Sequence, residues 1–175
     1  MIPPFNISGV LPPYDPAIGP QIKSGMSPYV VSMSEITRRF GISAERKNIL
    51  ARFLEYRTEL FKLGINSGFQ WIDGSFVEDV EINKGRPPAD IDVVTFAHRP
   101  LTHCADDQWK QLLTGNLHLF DPQQTRQRFL SDVYFVDLNI DPSAIVSYAR
   151  YWFGLFSHQR ATGLWKGLVQ VPLLS

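Results

Sequence analysis

Four residues at the ends of two apolar segments have the types and spacing to bind a phosphate and a divalent cation. Two of them, Asp90 and Asp92, alternate with apolar residues at the start of one segment. Successive side chains of a β-strand point to opposite faces, so both carboxylates project from the same face. Ionised carboxylates this close repel each other, and acids are rarely buried without a partner. A divalent cation such as Mg²⁺ resolves the conflict because it takes oxygen ligands and bridges to substrate phosphates.

The other two residues, Gly74 and Ser75, follow Asp73 at the end of the short, largely apolar segment 69–72. Glycine allows a sharp turn and a close approach of a ligand to the backbone. A helix that begins at Ser75 would direct its free amides toward a phosphate, and the hydroxyl would add a hydrogen bond. Lys84 and Arg86 lie shortly before the acids, where they can meet nucleotide phosphates, although a simple loop also explains them. The sequence therefore predicts a phosphate site beside a metal site.

Simpler structural interpretations remain open for both pairs. Asp73 and Gly74 form a dipeptide that is typical of a tight turn without any ligand. Asp90 and Asp92, taken alone, also fit a solvated strand edge. The functional interpretation is favoured because the two pairs follow each other on consecutive apolar segments.

Helix start signals and apolar periodicity predict the helices around these residues. Ser32 and Glu35 have the spacing of a capping box, in which each side chain bonds to the backbone amide of the other residue. Ser43 is typical of the cap of a longer helix whose apolar residues recur every three or four positions. Most basic residues of that helix, such as Arg46, are expected on a solvated face. Helices are expected over residues 32–41, 43–63, 106–113, from 121 onward and over 141–156, the last two opened by Asp-Pro pairs.

Short segments rich in Val, Ile, Phe and Tyr predict the strands. The expected strands are residues 69–72, 90–96, 133–138 and 165–173. Pro172 lacks an amide donor, which favours an edge position for the last strand. We therefore expect an α/β (α+β) domain with a small mixed sheet of about four strands flanked by helices.

The first 31 residues differ in composition from the rest of the chain. They hold seven of the thirteen prolines. Proline fixes φ and removes an amide donor, so neither a helix nor a central strand is expected there. Apolar residues between the prolines, such as Phe5, Val10 and Leu11, indicate contact with the domain surface. The sequence predicts an extended Pro-rich arm over residues 1–31 and one domain over residues 32–175.

Composition limits the classes of protein to consider. Hydrophobic residues make up 44% of the 175 residues, which is enough for a core and argues against a disordered chain. Seventeen basic residues balance seventeen acidic ones, so a general electrostatic affinity for nucleic acid is not expected. Cys104 is the single cysteine, which excludes an intrachain disulfide and a Cys-rich zinc site. With no signal-peptide pattern and no apolar run of membrane-spanning length, a cytoplasmic location and no membrane partner are expected.

The order of the motifs resembles the signature of the DNA polymerase beta-like nucleotidyltransferase superfamily. In this resemblance, Gly74 and Ser75 match the Gly-Ser element, and Asp90 and Asp92 match the two metal-binding aspartates. The resemblance covers roughly residues 65–140. The chain is similar to small bacterial members of unassigned role, which share the Gly-Val-Leu-Pro-Pro segment of residues 9–13 and the Trp-Ile-Asp-Gly-Ser-Phe-Val run of residues 71–77.

The resemblance implies a third metal-binding carboxylate on a later strand. Asp132 and Asp137 flank the expected third strand. Asp132 is preferred because the superfamily's third acid precedes or enters an apolar strand, and residues 133–136 are apolar. Asp137 is the alternative. That neither binds metal is an equally open interpretation, in which both are polar residues at strand ends.

The implied activity is transfer of a nucleoside monophosphate from a nucleoside triphosphate, such as ATP, to a hydroxyl. Asp90, Asp92 and Asp132 would be the catalytic acids, with Mg²⁺ or Mn²⁺ as cofactor, and Gly74, Ser75, Lys84 and Arg86 would bind the nucleotide. The acceptor is a protein, an RNA end or a small molecule. Small relatives often act as antitoxins, so a cognate toxin is an implied partner. The alternative is a catalytically silent binding module, which serves as a nucleotide sensor or an antitoxin scaffold.

Overall fold

The computed structural model describes residues 1–160 and 162–174, and its centre is an open, mixed β-sheet of five strands. The strands are β1 (Tyr29–Val30), β2 (Gly68–Asp73), β3 (Ile91–Ala97), β4 (Ser131–Asp137) and β5 (Val169–Pro172). Their order in the sheet is β1-β5-β2-β3-β4. β2 is antiparallel to both of its neighbours, whereas β4 is parallel to β3 and β1 is parallel to β5. The chain is thus a mixed α/β domain.

The five predicted helices begin where the start signals place them, whereas the two short helices at Val80–Lys84 and Leu117–Phe120 were not predicted. Ser32 caps the first helix in a complete capping box with Glu35, and Ser43 and Asp121 accept hydrogen bonds from the first turns of two others. The helices are α1 (Met33–Phe40), α2 (Ala44–Lys62), α3 (Val80–Lys84), α4 (Asp106–Gly115), α5 (Leu117–Phe120), α6 (Pro122–Phe129) and α7 (Pro142–Phe156). The expected helix bounds are confirmed to within two residues.

The strand count and the position of β5 differ from the sequence prediction. The additional strand is β1, which lies in the Pro-rich segment and pairs with Val169 and Gln170 of β5. β5 is therefore an interior strand, and the expected edge position is wrong. Pro172 is tolerated because β1 does not extend that far along β5. Residues 165–168 precede β5 instead of belonging to it.

Helices cover both faces of the sheet. One face carries Ile91 and Val93 of β3 and packs in the larger core cluster with residues of α1, α2, α4 and α6. The opposite face carries Val94 and Phe96 and packs against Trp152 of α7 in a smaller cluster. Asp92 is two residues from Val94 and thus belongs to the face covered by α7.

One basic residue of α2 does not lie on a solvated face. The Arg46 side chain is only 1% exposed and pairs with Glu81 at 2.6 Å. It also donates hydrogen bonds to the carbonyl oxygens of Phe76 and Glu78. Arg46 therefore fixes the segment after β2, because these bonds satisfy its buried guanidinium. In the part of the chain that the structure describes, no helix is both long enough and apolar enough to cross a membrane.

Candidate active site

Three aspartates form a lateral row across three neighbouring strands. Asp73 of β2 is the register partner of Asp92 of β3, and Asp92 is the register partner of Asp132 of β4. Register partners in adjacent strands point to the same face of a sheet. Asp90 lies just before β3, two residues from Asp92. The sheet thus brings the predicted acids together at one end of the face covered by α7.

Gly74 has a backbone conformation and a neighbour that both require glycine. Its φ is +80°, in the region that other residues rarely adopt. A side chain there would overlap the carboxylate of Asp92, since an added Cβ would lie 2.8 Å from Asp92 Cγ. The sequence led us to expect that a ligand approaches the Gly74 backbone closely. In the structure, the Asp92 carboxylate makes this close approach.

The segment after Gly74 differs from the expected helix. Residues Gly74–Val77 form a 3₁₀-helix of four residues, which is followed by an extended residue, Glu78. A single turn does not align enough amides to act as a helix terminus. Any contribution to phosphate binding must come from individual groups of the turn, such as the Ser75 hydroxyl.

A pocket of about 270 Å³ opens beside Gly74. It brings together the predicted nucleotide-binding residues with Asp92 and residues from the C-terminal part of the chain. Its lining includes Asp73, Gly74, Ser75, Glu78, Lys84, Arg86, Asp92, His158, Gln159, Arg160 and Lys166. Asp90 and Asp132 do not line the pocket and lie on its β3–β4 side.

The two candidates for the third acid have different surroundings. Asp132 lies beside Asp92, whereas Asp137 lies at the other end of β4, opposite Ala97. Asp137 is also paired with Arg99, whose Nε is 2.7 Å from Asp137 Oδ2. Asp132 is therefore the acid that the fold brings to the predicted site.

Charge repulsion and burial raise the proton affinity of the acids in the row. Burial, followed by the negative charges of Asp90 and Asp132, raises the pKa of Asp92 to about 6. Burial also raises the pKa of Asp132, although the Arg126 guanidinium opposes this shift. Arg126 pairs directly with Asp90, with 2.7 Å between Nε and Oδ2. In the described residues, Asp92 and Asp132 have no such ion-pair partner.

A buried ion-pair cluster forms the floor of the pocket. Lys166 Nζ lies 2.8 Å from Glu78 Oε1 and 3.0 Å from Asp73 Oδ1, and the lysine side chain is 2% exposed. Gln159 donates a hydrogen bond to the other oxygen of Glu78. Burial raises the pKa of Asp73 to about 7, although the Lys166 ammonium opposes the shift. Among the described residues, Asp73 Oδ1 makes no hydrogen bond of good geometry, so at this oxygen the compensation comes from the ion pair with Lys166.

Comparison with known proteins identifies the sequence family of this chain. A sequence family described as "Family of unknown function (DUF6932)" matches residues 3–172, almost the whole chain. The chain belongs to this family. No curated protein and no solved structure matches it. The DUF6932 match begins in the Pro-rich segment, so the sheet, the acids and that segment lie within one family unit.

The acids of this DUF6932 chain suit Mg²⁺ by their chemistry. They offer only carboxylate oxygens, and burial, together with the negative charges of Asp90 and Asp132, raises the pKa of Asp92. Within residues 1–160 and 162–174, no three His, Cys, Asp or Glu side chains lie close enough to hold a metal by themselves. Mg²⁺ commonly takes only one or two carboxylates and completes its shell with water and substrate phosphates. Asp92 with Asp132 fits that mode of binding.

Sequence reasoning missed several residues of the site. Asp73 is an acid directly before Gly74 at the end of an apolar strand. Because the Asp-Gly dipeptide also fits a tight turn, Asp73 was not predicted to belong to the site. Lys166 stands among apolar residues near the C-terminus, and its local sequence does not distinguish a buried lysine from a surface one. Arg126 and Glu78 have no comparable signal, because they reach the site only through the packing of α6 and of the segment after β2.

Proposed function

We propose that this chain is a metal-dependent nucleotidyltransferase, which moves a nucleoside monophosphate from a nucleoside triphosphate to a hydroxyl. One observation carries the proposal. Asp92 contacts the Gly74 turn on one side and pairs in register with Asp132 on the other, and it lines a pocket that also contains basic side chains. Phosphate-binding and metal-binding groups of the required types therefore meet at one carboxylate.

The basic residues of the pocket differ in whether their charge is paired with an acidic side chain. Lys166 forms ion pairs with Asp73 and Glu78 at the floor of the pocket. Lys84, Arg86 and Arg160 are exposed side chains of the lining. A triphosphate in the pocket would meet these three cations, whereas the acids repel it until a cation is bound.

The reaction balances with the groups present. The acceptor oxygen bonds to the α-phosphorus, the bond from that phosphorus to the bridging oxygen breaks, and pyrophosphate leaves. The proton of the acceptor hydroxyl passes to a carboxylate oxygen of Asp132. Bound Mg²⁺, held by Asp92 and Asp132 with the phosphates, would stabilise the charge of the leaving pyrophosphate. Lys84, Arg86 and Arg160 would hold the triphosphate in position.

The proposal includes the nucleotidyltransferase type of fold and a role for the extended Pro-rich arm. The arm contacts the segment that leads from the Gly74 turn to Lys84. The amide of Asp79 donates to the carbonyl of Gly9 at 2.8 Å, and Asn83 Nδ2 donates to the carbonyl of Ser8 at 2.9 Å. These bonds would hold one wall of the pocket in place.

Calorimetry with each of the four nucleoside triphosphates tests the proposal, with Mg²⁺ and with EDTA. We expect binding only with the cation. Asp92→Asn should abolish cation-dependent binding and pyrophosphate release, whereas Asp137→Asn, a matched change at the far end of β4, should retain both. Binding with no pyrophosphate release, even when protein, RNA and small-molecule hydroxyl acceptors are supplied, would instead support the silent binding module. Equal affinity with Mg²⁺ and EDTA would refute a metal-bridged site.

A further inference from the structure

β4 is an edge strand whose outer side is unpaired. It is last in the sheet order, and its register partners lie only in β3. In the described part of the chain, no backbone hydrogen bond joins residues 131–137 to any segment other than β3. Alternate residues of β4 therefore direct an amide and a carbonyl away from the sheet, which is a template for another strand.

The sequence of β4 lacks the commonest protections of an edge, and its two charged residues, Asp132 and Asp137, stand near its ends. Proteins commonly blunt an edge strand with lysine, proline or a short length. β4 has seven residues, contains neither lysine nor proline, and carries four consecutive apolar residues, 133–136. An edge of this kind is typical of a strand that receives a partner.

An apolar groove of about 510 Å³ runs beside the same edge. Trp109, Leu113, Leu117, Phe120 and Phe135 line it, together with the carboxylates of Asp121 and Asp137. Its lining contains no lysine or arginine. The groove therefore suits apolar side chains and is unfavourable for the phosphates of a nucleic acid.

We propose that the acceptor in the reaction proposed above is an extended polypeptide, which binds along β4 as a sixth strand. This inference rests on the proposed function. The row of Asp73, Asp92 and Asp132 ends at the edge of the sheet. An added strand would lie about 4.8 Å from β4. Its residue opposite Asp132 would continue the row on the face covered by α7, so a serine, threonine or tyrosine there presents its hydroxyl beside the carboxylates.

The register also defines the neighbouring residues of the acceptor. Residues opposite Val133 and Phe135 would point to the other face, where Phe135 lines the groove. The acceptor segment is thus a hydroxyl residue with apolar residues at alternate positions, one and three residues away. In the transfer, its side-chain oxygen bonds to the α-phosphorus, pyrophosphate leaves, and the hydroxyl proton passes to Asp132. The product is a nucleotide joined to the protein through a phosphodiester.

The test uses an array of nine-residue peptides with blocked ends and a central serine, in which Ala, Val, Leu, Ile and Phe are varied at the alternate positions. Peptide binding is measured by calorimetry, and hydrogen exchange reports the amides of residues 131–137. Labelled nucleotide transfer is measured separately with Mg²⁺, and a mixed RNA oligonucleotide is the competing acceptor. We expect at least tenfold stronger binding for peptides with two large apolar residues, and slower exchange in β4.

Leu117→Lys provides the variant, because this side chain is 51% exposed and its replacement need not disturb the core. Leu54→Lys is the matched control, since Leu54 is a 43% exposed helix residue outside the groove. Leu117→Lys should weaken peptide binding at least tenfold, and Leu54→Lys should leave it unchanged.

The outcomes separate this inference from the proposed function. Absence of Mg²⁺-dependent triphosphate binding by the unmodified chain would refute the proposed function. Triphosphate binding and transfer to RNA, with no peptide protecting β4, would refute the polypeptide acceptor alone. A dimer in sedimentation that Leu117→Lys dissociates would also refute it, because a second copy would then occupy the edge. Equal loss of peptide binding in both leucine variants would show that the groove does not contribute to peptide binding, and would refute this part of the proposal.

Discussion

Replacement of Asp92 by asparagine should stabilise the metal-free protein at neutral and alkaline pH. The pKa of Asp92 is raised from 3.8 to about 6 in the folded chain by burial and then by Asp90 and Asp132. A difference of this size means that ionised Asp92 costs the folded state about 3 kcal/mol above pH 7. Asparagine removes the charge but keeps the shape. Allowing for imperfect solvation of the amide, we expect a net gain of about 1–3 kcal/mol, or roughly 2–12 °C in Tm for a chain of this length.

The sign of the pH dependence follows from the same shift. Below about pH 3, Asp92 is protonated in both the folded and the unfolded chain, so the variant and the parent should differ little. Between about pH 4 and 6, Asp92 binds more protons in the folded chain than in the unfolded chain, so its contribution to the stability of the parent should fall as the pH rises. Above pH 7 this contribution is constant. The advantage of Asp92→Asn should therefore grow from a small value at pH 4 to its full value at pH 7.

Thermal unfolding in EDTA from pH 4 to pH 8 measures this effect. Asp137→Asn is the control, because it removes one of the two acids that pair with Arg99, whose side chain is only 10% exposed, and should lower the Tm at pH 8. Mg²⁺ should raise the Tm of the parent at pH 8 and leave Asp92→Asn nearly unchanged. A lower Tm for Asp92→Asn at pH 8 would mean that Asp92 is a structural acid, and the electrostatic argument for a cation would fail.

Three further predictions concern the turn and the floor of the pocket. In urea unfolding, Gly74→Ala should lower the free energy of unfolding by about 1–2 kcal/mol because of the positive φ, and by a further amount because the new methyl group displaces Asp92. Gly19→Ala is the control, since Gly19 has a φ of +87° but faces only a flexible side chain, and it should show the cost of the positive φ alone. Lys166→Met should destabilise the fold by about 3–5 kcal/mol because Asp73 loses its cation, and adding Asp73→Asn should restore part of this in the same assay. Ser75→Ala should leave the Tm unchanged and weaken triphosphate affinity by about 0.5–1.5 kcal/mol in calorimetry, and an unchanged affinity would exclude the hydroxyl from the site.

Local signals predicted the helices and the strands of the site well. The cap at Ser43 and the Asp-Pro pair at 141–142 are decided within a few residues of chain, so the sequence alone is sufficient for them. The alternation of Asp90 and Asp92 with apolar residues likewise predicted a strand and the face that the acids share. The choice between Asp132 and Asp137 needed the register of β4 against β3, which no local pattern encodes.

The remaining features depend on contacts between distant segments. β1 has only two residues and exists because β5 lies beside it, so its own sequence gives too little signal. The burial of Lys166 requires Asp73 and Glu78, which are 93 and 88 positions away in the chain. The burial of Arg46 also depends on another segment, since Glu81 and the Phe76 carbonyl that it binds are 35 and 30 positions away in the chain.

The arrangement of charge in the site supports a ligand with both a cation and a polyphosphate. Among the described residues, Asp92 and Asp132 form an acidic part without ion-pair partners, and Lys84, Arg86 and Arg160 form a basic part of the adjoining pocket. If these groups served only the fold, pairing them with each other would lower the electrostatic energy, as the chain does for Asp137 with Arg99. Their separation leaves Asp92 and Asp132 without a cation, and burial followed by the charges of Asp90 and Asp132 raises the pKa of Asp92. In the function proposed above, a divalent cation would compensate the acidic part and a triphosphate would compensate the basic part. Because the cation also bridges to the phosphates, each should strengthen the binding of the other.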